Sequence, residues 1–271
     1  MLSVLFLLGG VAASLIYSAF GSFAGRFVDQ GAAPTEEVYH QLRAESWSVV
    51  WMNTDIGNYC ANSPSVFIAL FTASLWFIPF ITLLIGFDQV CGDIQHRNIR
   101  YAAVRARRET IIAGKSLALW CVVSALLLVL HAIVWNIAML RGDASFVEVG
   151  AWGLRMWAMS VIFTAAYAGL TVLVSSLTNR PILCLFIGII AFSAMALVNF
   201  AVRTARFFSL SAPPEAGASV WQYIGYAIPD YYNMWLLTPR APQMIGGIAI
   251  LLAFGVGATA IAGWLVARKD I

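Results

Sequence analysis

The stretch RNIRYAAVRARR, residues 97–108, stands between SVFIALFTASLWFIPFITLLIGF (65–87) and SLALWCVVSALLLVLHAIVWNIAML (116–140). Each flank is long enough for the ~20 mostly apolar residues that a helix needs to cross a bilayer. Neither flank contains Asp, Glu, Lys or Arg. Basic residues in a short connection between two such spans are retained on the cytoplasmic side. Arg97, Arg100, Arg105, Arg107 and Arg108 thus indicate a membrane protein, predict its orientation, and mark a surface where a cytoplasmic partner would dock.

The rest of the composition agrees. The chain has 271 residues, 61% of them hydrophobic and 11% charged, with a mean hydropathy of +0.82. A soluble domain carries roughly 25% charged residues, and a chain of this length could not hide so much apolar surface from water. The bilayer must therefore act as solvent for much of it. A formal net charge of +3 is too small to argue for nucleic acid. Cys60, Cys91, Cys121 and Cys184 form no CxxC pair and no regular spacing, so they read as scattered packing residues and not as a zinc site or a disulfide framework.

Apolar windows predict six spans, at about 2–24, 65–87, 111–140, 153–177, 181–202 and 244–267. The first begins almost at Met1 with no early Lys or Arg and runs for ~22 residues. That is longer than the core of a secretory signal, so it is read as a retained span. With the arginine run in the cytoplasm, the turn at Thr178–Pro181 and the basic end Arg268–Lys269 fall on the same side, as do both termini. Arg26, Arg43, Arg141, Arg203, Arg206 and Arg240 fall on the other side, in longer loops where the charge rule is weak. This predicts a multi-pass protein of the cell (inner or plasma) membrane. Its outer loops would be 25–64 and 203–243, and its cytoplasmic loop 88–110.

Pro79 lies inside the second span and is expected to kink it. Small residues recur at four-residue spacing in the first span (Gly10, Ser14, Ser18) and the last (Gly255, Thr259, Gly263). This pattern suits close helix approach, either within the chain or between subunits. In the first outer loop, Pro34-Thr35-Glu36-Glu37 predicts a helix start. Trp47 and Trp51 then share a face that fits the membrane surface. The second outer loop carries Trp221, Tyr223, Tyr226, Tyr231, Tyr232 and Trp235, aromatics suited to the headgroup level. Pro229 and Pro239 divide that loop into short helices, interfacial or re-entrant.

Catalytic chemistry has little support. Ala113-Gly114-Lys115-Ser116 looks like the end of a phosphate-binding loop, but Glu109 occupies the position of its first glycine and no strand precedes it. ATP binding by this chain is therefore excluded, and Lys115 reads as an anchor reaching the headgroups. His40, His96 and His131 are far apart in sequence, and His131 reads as a packed polar residue. The predicted span interiors contain no Asp or Glu, which argues against a proton-coupled transporter. No metal ligand set stands out. Asn136 and Asn199 either bond within the helix bundle or line a substrate path. Arg155 lies near a span end and is expected to snorkel. The arginine run itself fits a lipid-facing loop or a protein-docking helix equally well. Ile94, Arg97, Tyr101, Val104 and Arg108 share a helical face that mixes basic and apolar groups.

From Phe87 to Lys115 the chain resembles the ABC-2 type transporter permeases, the membrane subunits of many ABC exporters. The resemblance lies in Asp88 at the end of the second span, the charged segment Asp93-Ile94-Gln95-His96-Arg97-Asn98-Ile99-Arg100-Tyr101, and Arg108 shortly before Gly114-Lys115. It implies an all-α fold of six transmembrane helices, type V exporter-like, with a cytoplasmic coupling helix and short extracellular gate helices. Asp93, Arg97, Arg100, Tyr101, Arg105 and Arg108 would couple to the ATPase, with Asp88 and Lys115 as cytoplasmic anchors. Asn136, Asn199, Trp221, Tyr226, Tyr231 and Tyr232 are candidate pathway or gate residues. The implied partners are two copies of a cytoplasmic ATPase carrying ATP and Mg, a second permease subunit (identical or not), and membrane lipid. The substrate would be hydrophobic or amphipathic: a lipid, drug or peptide. The chain itself would hold no cofactor and perform no chemical step. The rival reading is a channel or scaffold working without an ATPase.

Overall fold

A computed structural model describes residues 36–96, 106–209 and 220–269. Among these residues the fold is helical, without strands, and five helices are long and apolar enough to cross a membrane. The chain is accordingly a multi-pass membrane protein. The predicted first span, 2–24, lies outside the described residues.

The helices are α1 (Glu36–Trp51), α2 (Thr54–Ala61), α3 (Ser65–Gly86), α4 (Cys91–Gln95) and α5 (Arg108–Arg141). They continue as α6 (Phe146–Leu177), α7 (Pro181–Ser209), α8 (Val220–Tyr226), a 3-10 turn (Pro229–Tyr232), α9 (Asn233–Leu236) and α10 (Ala241–Ala267). The helices reach beyond the hydropathy windows: α5 begins at Arg108, α6 at Phe146 and α10 at Ala241, while α7 runs to Ser209. The backbone stays helical where hydropathy falls, because polar side chains at span ends need no break in the hydrogen-bond ladder. Pro79 lies within α3, where it leaves the Leu75 carbonyl without its helical N–H donor.

Two compact units are distinguished. One holds the described part of Met1–Ser74 with Leu126–Ala158, and the other holds Leu75–Ala125 with Met159–Ile271. In the first, the described part of the predicted outer loop 25–64, residues 36–64, is largely helical. Met52 ends α1 with φ 50°, and Asn53 caps α2 by accepting from the Ile56 amide at 3.1 Å. The α1–α2 approach is close: a Cβ on Gly57 would lie 1.9 Å from Ser48 Oγ and 2.6 Å from the Ala44 carbonyl. Trp47 and Trp51 do share a face, but each is only 2% exposed, and Trp51 stacks on Phe71. They are core residues and not a membrane-surface face, since the protein covers that side of α1. The exposed side carries Val38, Tyr39 and Val49 instead.

Arg155 does not snorkel freely. It donates to the Tyr59 hydroxyl and lies over the Tyr59 ring, which in turn meets Trp152. His131 is fully buried, with Nδ1 2.9 Å from the Leu127 carbonyl and its ring edge toward Trp135. Helix α5 ends in a glycine stop: Gly142 has φ 76°, its amide reaches the Met139 carbonyl, and the Asp143 amide reaches the Ala138 carbonyl. Ser145 and Glu148 then form a capping box that starts α6. A π-helical turn, Val149–Gly153, follows within the same helix.

In the second unit the small residues of α10 serve intrachain packing. A Cβ on Gly169 would lie 2.2 Å from the Gly255 carbonyl, and one on Gly255 2.5 Å from the Ala165 carbonyl. Thr259 meets Ser116 hydroxyl to hydroxyl at 2.9 Å. Gly263 faces the Glu109 backbone, its added Cβ falling 3.5 Å from Glu109 Cα.

Candidate functional site

The connection around the arginine run is held by helix ends, all within the second unit. Helix α4 is short, and its N-cap residue Val90 supplies no side-chain acceptor. Ser175 of α6 fills that role from a distant part of the chain. Its Oγ accepts from the Val90 and Cys91 amides, each at 3.1 Å, and donates to the Phe87 carbonyl at 2.8 Å. Two orphan amides and one orphan carbonyl thus find a partner in one hydroxyl. Around it, Cys91, Val174 and Cys184 form a small buried cluster flanked by Phe87 and Ile187. The carboxylate of Asp88 lies close over Gly92, leaving no room there for a Cβ.

Lys115 does not reach away to headgroups as its position predicted. It turns back to pair with Asp93 at 2.5 Å and donates to the Gln89 carbonyl. The pair is about a quarter exposed, so it contributes little more than the ~0–1 kcal/mol of a surface ion pair. Its geometric effect is to tie α4 to the start of α5.

Arg108 is the first residue of α5 and not part of a loop ending at 110. Its guanidinium donates to the Lys269 carbonyl at 2.8 Å and to the Val266 carbonyl at 3.4 Å. Lys269 in turn places Nζ 2.7 Å from the Ser176 carbonyl and 3.4 Å from Asn179 Oδ1. Partial burial lowers the pKa of that ammonium from its ordinary value. Cations on the C-terminal carbonyls of α10 and α6 are favoured by the helix dipole, typically by ~0.3–1 kcal/mol each. Asp88, Asp93, Arg108 and Lys115 are therefore gathered around the connection, while Arg97, Arg100, Tyr101 and Arg105 lie outside the described residues.

The candidate pathway residues divide. Asn136 is exposed and donates to its own helix at the Ala132 carbonyl, 2.7 Å away, so it makes no interhelical bond there. Asn199 is buried in the second unit, where its Oδ1 accepts from Arg203 Nε at 3.3 Å. Tyr231 and Tyr232 are 4% and 5% exposed, so they are core residues and not headgroup-level aromatics. Their rings lie edge to face with each other, with Tyr226 beside Tyr231 and Trp235 beside Tyr232. Tyr226 remains exposed, and the Tyr232 hydroxyl donates to its carbonyl at 2.9 Å. The Trp221 side chain lies outside the described ones.

Next to these aromatics is a polar cluster that the sequence reading missed. Tyr167 of α6 donates to Asp230 Oδ2 at 2.7 Å, and Arg203 of α7 donates to the Asp230 carbonyl at 3.2 Å and to Asn233 Oδ1. Burial pushes the Asp230 carboxyl above its ordinary value, while the Tyr167 hydrogen bond and the Arg203 charge pull it back. The cluster fastens the short segment before α10 to α6 and α7. Its only sequence signal was a lone Asp between aromatics in a loop.

No family model matches the chain, and no curated protein is significantly similar to it. Among the described residues no three His, Cys, Asp or Glu side chains converge as a metal site.

Proposed function

We propose that this chain is the permease subunit of an ABC-2 type exporter, with six spans and both termini in the cytoplasm. Two permease subunits would form the path, and two separate ATPase subunits would carry ATP and Mg. The cargo would be hydrophobic or amphipathic. Alongside the sequence resemblance at 87–115, the observation that carries this reading is how the basic connection is fastened. Its leading side, α4, is clamped by Ser175 and Lys115, and Arg108 on its trailing side holds the end of α10. A partner gripping residues 97–105 would pull on α3, α5, α6 and α10 together. The ATPase would act by population shift, since its closure contacts one packing of the helices better than the other. Asp230, Arg203 and the tyrosines would set the position of the short gate segment before the last span.

The test is to remove charge at Arg97, Arg100 and Arg105 while leaving Arg108, which has a capping role. Transport and stimulated ATP hydrolysis should be lost together while the protein stays in the membrane. Mild detergent should co-purify a soluble subunit with a complete Gly-x-x-x-x-Gly-Lys-Ser/Thr loop. Normal transport by the triple variant, or transport with no such subunit, would favour a channel or scaffold.

A further inference from the structure

An open groove of about 400 Å³ runs between α6 and α10 in the second unit. Leu170 and Leu173 line one side, and Ile250, Ala253, Gly257 and Ile261 line the other. All of these residues are apolar and lie within candidate membrane spans. The eleven-residue step from Ile250 to Ile261 rises ~16 Å along the helix. That is close to half of the ~30 Å hydrocarbon core, so the groove is about one leaflet deep.

An extended hydrocarbon chain matches both the apolar lining of the groove and its length. Gly257 keeps the groove open, because a Cβ there would meet nothing within 4 Å.

A cation stands at one end. One turn beyond Ile261 is Trp264, 49% exposed, with the Arg268 guanidinium carbon 3.9 Å from its ring centre. Stacking draws the guanidinium back along the helix toward the groove. Arg108 and Lys269 bond carbonyls, but exposed Arg268 has no side-chain hydrogen bond or carboxylate partner among the described residues. A planar, weakly hydrated guanidinium is well suited to phosphate. An indole at that level suits the headgroup region.

We propose that the groove and Arg268 form a site for one anionic phospholipid. Its acyl chain lies along Gly257, and its phosphate meets the guanidinium stacked on Trp264. The site discriminates by headgroup charge, since a zwitterionic lipid offers the same chain but no net negative charge.

Native mass spectrometry of the intact protein, with any subunit that co-purifies, tests this in titrations of phosphatidylglycerol against phosphatidylcholine. One phosphatidylglycerol per chain should be retained in preference. R268Q should weaken it about fivefold, because one basic residue at a membrane surface is worth ~1 kcal/mol. R268K should restore most of the binding, which separates lost charge from lost fold. G257L, which fills open space, should reduce retention of both lipids. R240Q, at the other end of α10, should leave retention unchanged. Equal retention of the two lipids, or of phosphatidylglycerol by R268Q and the parent, overturns the proposal. A change of oligomeric state in G257L with lipid retention intact also overturns it, assigning the groove to a second copy.

Discussion

The phenol of Tyr167, buried in α6, donates a 2.7 Å hydrogen bond to the side chain of Asp230. The two residues are 63 positions apart, so the bond fastens the segment before the last span to a helix laid down much earlier. Taking away the donor leaves a buried carboxylate with one partner fewer, at a cost of about 1–3 kcal/mol. Tyr167→Phe should lower stability by that amount and speed amide exchange across Pro229–Leu236. Unchanged exchange there would mean that other contacts hold the segment.

The same carboxylate gives stability a dependence on pH. Burial raises the Asp230 pKa above its ordinary 3.8, against the opposing pull of Tyr167 and Arg203. The folded protein therefore binds this proton more tightly than the unfolded chain. The contribution is complete below the unfolded value and is lost as pH rises through the folded one. Relative to Asp230→Asn, the parent should lose thermal stability as pH climbs from about 3.8. A parent-minus-variant difference that grows with pH would contradict this.

Ser175→Ala removes the only side-chain acceptor at the start of α4 among the described residues. Loss of a helix cap costs ~1 kcal/mol, and stranding two buried amides adds to that. Exchange of the Val90 and Cys91 amides should accelerate, while that of Ile68 should not. Equal acceleration everywhere would indicate global loosening and no local cap.

Helix contact and helix propensity compete at the glycines of α10. Alanine gains up to ~1 kcal/mol over glycine in a helix interior. At Gly255 the new methyl would meet the Ala165 carbonyl at 2.5 Å, and forcing the backbones apart costs ~1–3 kcal/mol. Gly255→Ala should therefore destabilise. Gly257→Ala meets nothing and should be neutral or slightly stabilising. Thermal unfolding of the two variants in one detergent decides the matter, and equal melting would refute the close contact.

Cys60 should be nearly inert in the folded protein. Burial pushes its thiol from 9.0 up to about 12, outweighing the Arg155 charge, so its thiolate fraction at neutral pH falls roughly a thousandfold. Maleimide labelling of a variant with Cys60 as its only cysteine should be slow until denaturant is added. This raised value also predicts that stability declines as pH rises from 9.0 toward about 12. Fast labelling under native conditions would show that the site opens.

The five long apolar helices were legible because a bilayer leaves a chain few ways to satisfy its backbone, and hydropathy reports that constraint directly. The small-residue stripe of α10 was legible for a related reason, since spacing reveals a helix face. What covers a face is not encoded in its spacing. Trp47 and Trp51 were correctly placed on one side of α1, but protein and not membrane lies against it. Tyr231 and Tyr232 were misread in the same way. The tethers were least visible. Ser175 serves amides 84 and 85 residues away, and Arg108 serves a carbonyl 161 residues away. No local pattern announces such a pairing, and a lone serine or arginine looks the same with or without it.

The wide turn at Val149–Gly153 carries an extra residue inside an otherwise regular rod. Chain length is negotiable there. An in-frame loss of one codon at Gly150, where a side chain would touch nothing, lets the turn relax to ordinary α geometry. The exposed hairpin before it would swing by about 100° and absorb the change. Elsewhere in the spans a single-residue deletion would rotate a packed face away from its neighbours. Homologues that differ by one residue in this region should therefore keep every downstream contact in register.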